Sequence, residues 1–390
     1  MEGVTMNQSD AGTPTWLAAH NDRAAFRLLL EHGPLTRSQL GAQSGVSKPT
    51  AGQMITRLER VGLIGEAGVV SGGRGPNAMS YGVRTDRLTG VAVSISGRAI
   101  HSVLVDAADT DHPIVELPAG VDGRSPEGDV ERAVGAACEA AGVDFGSVTL
   151  AAVGVQAAVF VEGDELSHTD TLPGWPAVGA RRRIEEALGL DVVLDNDVNL
   201  AAMAERATGV AQGASSFVQF WIGEGLGVGI VLGGVVHRGA SGGAGEIGYL
   251  EVARSAARLD PAAHDLTELL GGCAVAELLG AEPGERLAEV LPRLAGDEAA
   301  LDAVAARTAL AIEPLLTVLD PALVVLGGPT GVAGGERLAA LVGERVDTGA
   351  HPKLVVATSG TGEQPVLLGA RQLLVEQIRT RLEAGITPAA

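Results

Sequence analysis

Three stretches of the 390-residue chain set chemically capable side chains among small ones. Val193-Leu-Asp-Asn-Asp-Val-Asn199 reads as an apolar strand running into a helix, so Asn196 and Asp197 project from a strand's carboxyl end, where ligands sit in α/β sheets. A carboxylate there accepts a hydrogen bond from a hydroxyl and, where that hydroxyl must become a nucleophile, serves as general base. Asp and Asn are equally common as plain helix N-caps. Gly223-Glu-Gly-Leu-Gly-Val-Gly229 alternates glycines between two apolar strands, a pattern that lets backbone approach a phosphate and that also suits a tight turn or sheet packing. Gly239-Ala-Ser-Gly-Gly-Ala-Gly-Glu-Ile-Gly-Tyr249 leaves Glu246 as a single acid among small residues, a charge that a hydroxyl-rich ligand would satisfy if it is buried.

These loops need a scaffold of alternating strands and helices. Gly90–Val93 and Ile100–Val105 are apolar strands around Ser94-Ile-Ser-Gly-Arg98, which predicts a hairpin. Further strands are expected at Leu150–Val155, Val192–Leu194, Phe217–Ile222, Val228–Leu232, Leu323–Leu326 and Leu354–Ala357. Helical stretches such as Arg181–Leu188, Asn199–Ala207, Leu301–Leu316 and Gly369–Leu382 fall between them, so residues 88–390 are expected to form an α/β domain.

Residues 14–84 carry different signals. Asn21 or Asp22 is a candidate cap for a helix with Ala25, Leu28 and Leu29 on one face, ending at Gly33-Pro34. Thr36-Arg37-Ser38-Gln39 is a capping-box pattern opening a short helix closed by Gly45. Ser47 then caps a third helix in which Ala51, Met54, Ile55 and Leu58 form a buried stripe at i, i+3, i+4 and i+7, leaving Thr50, Gln53 and Arg57 on the outer face. Two short helices around a tight turn, the second polar outside, make a helix-turn-helix able to enter a major groove. Leu63-Ile64 and Met79–Val83 read as strands flanking Ser71-Gly-Gly-Arg-Gly-Pro-Asn77, a wing that would place Arg74 in a minor groove. Ser47, Lys48, Thr50, Gln53, Arg57 and Arg74 are the expected contacts to double-stranded DNA.

The charge distribution agrees. The whole chain carries −20, yet residues 1–84 hold eight basic side chains against six acids, a net of +2, and the remaining 306 residues carry −22. A mildly basic head on an acidic body suits a molecule whose head alone approaches phosphate. Cys138 and Cys273 lie far apart, give neither a disulfide framework nor a metal-spaced pair, and are read as core thiols. With no apolar run near the roughly 20 residues of a membrane helix and a polar first dozen residues, the chain is expected to be cytoplasmic, without membrane partners.

The order of Asp195-Asn-Asp197, Gly223-x-Gly-x-Gly-x-Gly229, Ala244-Gly-Glu-Ile-Gly248 and Asp320-Pro-Ala-Leu-Val-Val-Leu-Gly-Gly328 resembles the ROK (repressor, ORF, kinase) family of sugar kinases and repressors, and the head resembles the winged helix at the N-terminus of ROK repressors. The resemblance implies an actin/hexokinase-like pair of α/β lobes with a cleft between them. It also implies sugar contacts at Asn196, Asp197 and Glu246, with Thr169, upstream of Leu172-Pro-Gly-Trp175, and Glu268, in Leu266-Thr-Glu-Leu269, as further hydroxyl ligands. Family kinases open the lobe with an Asp-x-Gly-x-Thr type loop. This chain has Ser94-Ile-Ser-Gly-Arg98 there, without the hard-cation ligand, and Glu224 stands at the threonine position of the second phosphate loop. The family's zinc histidine is Tyr249 here, and no cysteine occurs from 250 to 272, so neither zinc nor another cofactor is expected. The implied function is a DNA-binding repressor, without catalysis, that responds to a sugar and acts as a homodimer or dimer of dimers. The alternatives are a sugar kinase with a fused DNA-binding head, favoured by retention of Asp197, and a ligand-independent regulator.

Overall fold

A computed structural model describes residues 14–70, 77–120, 123–167, 172–252, 254–346 and 349–387. Arg74 of the wing and Thr169 lie outside the described residues.

The head is built from α1 (Pro14–His32), β1 (Leu35–Thr36), α2 (Arg37–Ser44), α3 (Lys48–Arg60), β2 (Ile64–Val70) and β3 (Ala78–Val83). Its three strands pair antiparallel in the order β1-β3-β2. Thr36 and Gln39 close the expected capping box, Gly45 ends α2 in the left-handed region, and Ser47 caps α3. Ala51, Met54, Ile55 and Leu58 are buried, the last three in one cluster with Phe26 and Leu29 of α1. One expectation fails: α1 begins at Pro14, so Asn21 and Asp22 lie inside the helix instead of capping it. Nothing in Trp16-Leu-Ala-Ala-His20 stops a helix, and Trp16 stacks on His20 one turn away, with ring centroids 5.3 Å apart.

The body has two lobes. In the first, β4 (Thr89–Ile95), β5 (Ala99–Val105), β6 (Val115–Pro118), β7 (Val148–Val155) and β10 (Asp191–Asn196) form one sheet in the order β10-β7-β4-β5-β6. The strands β10, β7 and β4 run parallel, and the β4–β5 hairpin turns at the Ser94–Arg98 loop. Helices α4 (Pro126–Ala141) and α5 (Ala180–Leu188) share this lobe's core. The α4 helix is not among those expected, although Ser125 caps it, Pro126 starts it and Gly142 ends it. A small hairpin, β8 (Ala158–Phe160) and β9 (Glu165–Ser167), follows β7.

The second lobe carries β11 (Phe217–Ile222), β12 (Leu226–Leu232), β13 (Val235–Val236), β14 (Leu323–Gly327) and β15 (Val355–Thr358) in the order β13-β12-β11-β14-β15. The short helices α7 (Leu266–Leu270), α8 (Gly272–Leu278) and α9 (Leu287–Val290) and the long α10 (Glu298–Leu319) and α11 (Gly328–Arg345) complete its core.

Two helices join the parts. The α6 helix (Asp197–Thr208) contacts strands of both sheets, and α12 (Pro365–Ala384) packs along α6 and across β4, β7 and β5. Their close approach depends on Gly369, where a methyl group would collide with the Leu200 carbonyl. At the far end of α12, Arg27 of α1 pairs with Glu383 at 2.5 Å and Arg23 Nη2 donates to the Ile386 carbonyl at 2.8 Å. One continuous apolar cluster includes Phe26 and Leu29 of the head and Leu374, Ile378 and Ile386 at the C-terminal end.

Candidate functional site

A cavity of about 320 Å³ opens between the lobes at the carboxyl end of β10, within the size range of small-molecule pockets. Asn196 and Asp197 enter it as α6 begins, and the structure divides their roles. Asn196 is the N-cap: its Oδ1 accepts from Val198 N (2.9 Å) and Asn199 N (3.1 Å), while Nδ2 donates to the Ala157 carbonyl (3.1 Å). Asp197 is the first helical residue, and its Oδ1 accepts from Val198 N at 2.9 Å. Desolvation raises its carboxyl from the usual range to about 7, the negative Glu246 adds to the rise, and backbone hydrogen bonds oppose it. Such a group changes protonation near neutrality and accepts strongly from a hydroxyl once ionised.

Glu246 reaches the cavity on a pinned loop. Val228 N donates to the Gly245 carbonyl at 3.0 Å, and Gly245 (φ 97°) passes so close to the Val228 carbonyl that only glycine fits. At the loop's start Arg238 is ion-paired with the buried Asp195, its Nε lying 3.2 Å from Oδ1. Glu268 lies on α7 and accepts from His264 N at 2.7 Å, and Asp265 caps the same helix by accepting from Glu268 N at 2.8 Å. The cavity therefore brings together Asn196, Asp197, Glu246 and Glu268. Gln156, Trp221, Tyr249, Asp265 and Thr267 also line it and were not expected. The only signal for Trp221 is an aromatic next to the last residue of a strand that runs into the alternating glycines.

The Ser94–Arg98 loop and the Gly223–Gly229 loop face each other beside this cavity. Arg98 Nη2 lies 3.3 Å from Glu224 Oε1, an ion pair across the lobes on the wall of a second cavity of about 630 Å³. Cys273 is exposed there, which corrects the expectation of a core thiol, because α8 turns it toward the cleft; Cys138 is buried as expected. Among the described residues no three His, Cys, Asp or Glu side chains form a group that could hold a metal ion. Tyr249 offers a phenol where a zinc site needs imidazole or thiolate, so the residues present do not fit that metal.

In the head, Lys48 and Gln53 are exposed at the start and on the outer face of α3. The Ser47 and Thr50 hydroxyls are 2.8 Å apart, and Ser47 Oγ caps Thr50 N. Arg57 departs from the expectation. Its Nε and Nη2 donate to the two Asp22 oxygens at 2.7 Å each, and Asp22 is buried, so the guanidinium ties α3 to α1 instead of facing outward. Arg37, Thr56 and Arg60 are further exposed polar side chains of α2 and α3.

The ROK family model matches residues 123–377. The chain belongs to the ROK family. A MarR family model matches residues 24–65, which spans most of the three head helices. The xylose repressor of Bacillus subtilis (strain 168) is 21% identical over 246 residues, 62% of this chain and 63% of that repressor, so the chain spans less than two thirds of that relative. Among solved structures, a ROK family transcriptional regulator homologous to the E. coli MLC protein superposes with a TM-score of 0.65 at 21% identity, covering 95% of this chain and 98% of that one. A ROK hexokinase from Thermus thermophilus superposes with a TM-score of 0.59 at 27% identity over 74% of this chain and all of its own. This ROK chain thus has the family's two-lobed actin/hexokinase-like fold behind a winged helix-turn-helix, and its relatives include both repressors and kinases.

Proposed function

We propose that the chain is a DNA-binding repressor whose kinase-like body binds a sugar, without phosphorylating it, and passes that event to the winged helix. The observation that carries this reading is a continuous path. The cavity lies at the first turn of α6, α6 packs along α12, and the end of α12 holds α1 of the head through Glu383 and Ile386. A ligand that prefers one lobe arrangement then biases the position of the head. Ser47, Lys48, Thr50 and Gln53 would meet the DNA, and the sequence pattern adds Arg74 as a further contact. Asn196, Asp197, Glu246 and Glu268 would hold the sugar, and the family resemblance adds Thr169 as a further hydroxyl ligand. The repressor would act in the cytoplasm, as a homodimer or dimer of dimers that presents two recognition helices to half-sites about 34–36 Å apart or a multiple of that. Support for the non-catalytic reading comes from the Arg98–Glu224 pair, which stands at positions where the resemblance to family kinases implies phosphate loops.

The test is a gel-shift titration on DNA upstream of the chain's own gene, at fixed salt, with and without a panel of sugars. Specific binding altered by a sugar is the expected result; specific binding indifferent to all sugars would support a ligand-independent regulator. One observation favours a kinase: Asp197, titrating near 7, suits a general base. A coupled ATP-dependent phosphorylation assay across the same sugars is expected to stay at background, and turnover would establish the kinase.

A further inference from the structure

The loop that delivers Glu246 belongs to the second lobe by sequence and is fastened to the first by contact. It follows β13, and at its start Arg238 reaches Asp195 near the end of β10: Nε donates to Oδ1 at 3.2 Å and Nη2 donates to Oδ2. Midway along, the backbone at Gly242 lies against the Val159 carbonyl of β8, too close for a β-carbon. Ala244 N donates to the Arg238 carbonyl at 3.2 Å, which closes residues 238–244 into one compact turn just before Glu246.

Asp195 is 2% exposed, and its carboxylate also accepts from Asn196 N at 2.9 Å and from Asn199 Nδ2 at 3.4 Å. A charge so far from water needs a cation, and among the described residues Arg238 is the one ion-paired with it. The pair therefore ties the β10–α6 corner, from which Asn196 and Asp197 enter the cavity, to the loop that carries Glu246. A tie is needed there, because Glu246 and Asp197 are like charges close enough for Glu246 to disfavour the ionised Asp197. We infer that Arg238 is a positioning residue: paired with Asp195, it sets the distance between Glu246 and Asp197, and with it the spacing at which two hydroxyls of one sugar can be held. This rests on the cavity's being the effector site of the repressor proposed above. Arg238 acts through the loop, since it is not among the described residues lining the cavity. Glu268 is independent of it, because α7 and the His264 N–H hold that side chain in place.

The experiment is isothermal titration calorimetry on the full chain with glucose, mannose, galactose, xylose and N-acetylglucosamine. Glu246→Gln is expected to weaken the best-bound sugar about ten-fold or more. The double variant Asp195→Asn/Arg238→Met removes both charges together and leaves neither unpaired, and it is expected to weaken that sugar by a similar factor. Adding Glu246→Gln to the double variant should then cost less than about two-fold, whereas adding Glu268→Gln should cost as much as it does in the wild-type chain. If the double variant does not fold, Arg238→Lys carries the same comparison: it keeps the charge and loses the two-pronged grip, and the cost of Glu246→Gln should fall about three-fold or more in it. Wild-type affinity in the variant used, or an undiminished cost of Glu246→Gln there, overturns the proposal while leaving the effector site standing. So does a Glu246→Gln chain that binds as the wild type does. Equal loss of the Glu246 and Glu268 effects would mark a purely structural role and overturn it too. Failure of every sugar to bind the wild-type chain overturns the sugar-responsive reading and this one with it.

Discussion

Asp197 concentrates a conflict between stability and function. Its carboxyl is neutral in the folded chain up to about pH 7 but ionises near 3.8 when unfolded. As pH rises from about 4 to 7 the unfolded state loses a proton the folded state keeps, so stability falls, and above 7 the full cost of about 2–4 kcal/mol is present. Asp197→Asn is therefore expected to raise Tm at pH 8, to lose that advantage near pH 4, and to abolish the effect of sugar on DNA affinity; a responsive variant would move the site elsewhere. At Arg57 the expectation is structural: Arg57→Ala leaves Asp22 buried without its cation and should cost about 3 kcal/mol in chemical denaturation. Lys48→Ala should leave stability alone and flatten the salt dependence of DNA binding by about one unit of slope. This contrast marks the limit of the sequence reading. The stripe of Ala51, Met54, Ile55 and Leu58 was legible because helical periodicity is local, whereas the partner that turns Arg57 inward lies 35 residues away. Asn196 was legible as both cap and ligand, and only the geometry shows its Oδ1 capping α6 while the residue also lines the cavity.

Among the elements, α6 carries the most constraint. Its N-terminus forms the pocket floor, and near its C-terminus the buried Glu205 accepts from Val210 N, Gly360 N and the Ser359 and Thr361 hydroxyls, which clips the approach to α12 onto it. Between those points the two helices touch backbone to backbone, Gly369 against Leu200. Gly369→Val is expected to push them apart, costing about 3 kcal/mol in thermal unfolding and weakening sugar binding as well, because displacing α6 moves Asp197; a variant with wild-type Tm would show that the contact yields. The strands and long helices here were readable from apolar runs and turn residues. The α6–α12 contact was not, since the whole second lobe separates Leu200 from Gly369 along the chain. The Arg98–Glu224 pair is similar: each side chain was visible as a departure from a kinase loop, but their meeting depends on how two sheets face one another.

At the scale of the whole molecule, the proposed repressor has an acidic body that must act on a mildly basic head, and the docking of α1 on the end of α12 is a contact through which it can do so. The exposed Arg27–Glu383 pair contributes little by itself, since two-thirds of the Arg27 side chain is open to solvent. The apolar seat of Ile386, which is 4% exposed, matters more. Ile386→Asp should undock the head without disturbing the cavity, because the substitution lies at the C-terminal end of the described chain, beyond α12. Calorimetry should then give wild-type sugar affinity and gel shift should give specific DNA binding, while the ratio of DNA affinities with and without sugar falls to one. In the intact chain that ratio, of the order of 5–150 for an allosteric coupling of about 1–3 kcal/mol, must equal the factor by which DNA changes sugar affinity. A variant that keeps the ratio would mean that the signal leaves the body by another surface, and one that loses sugar binding would mean that α12 supports the pocket instead of reading it.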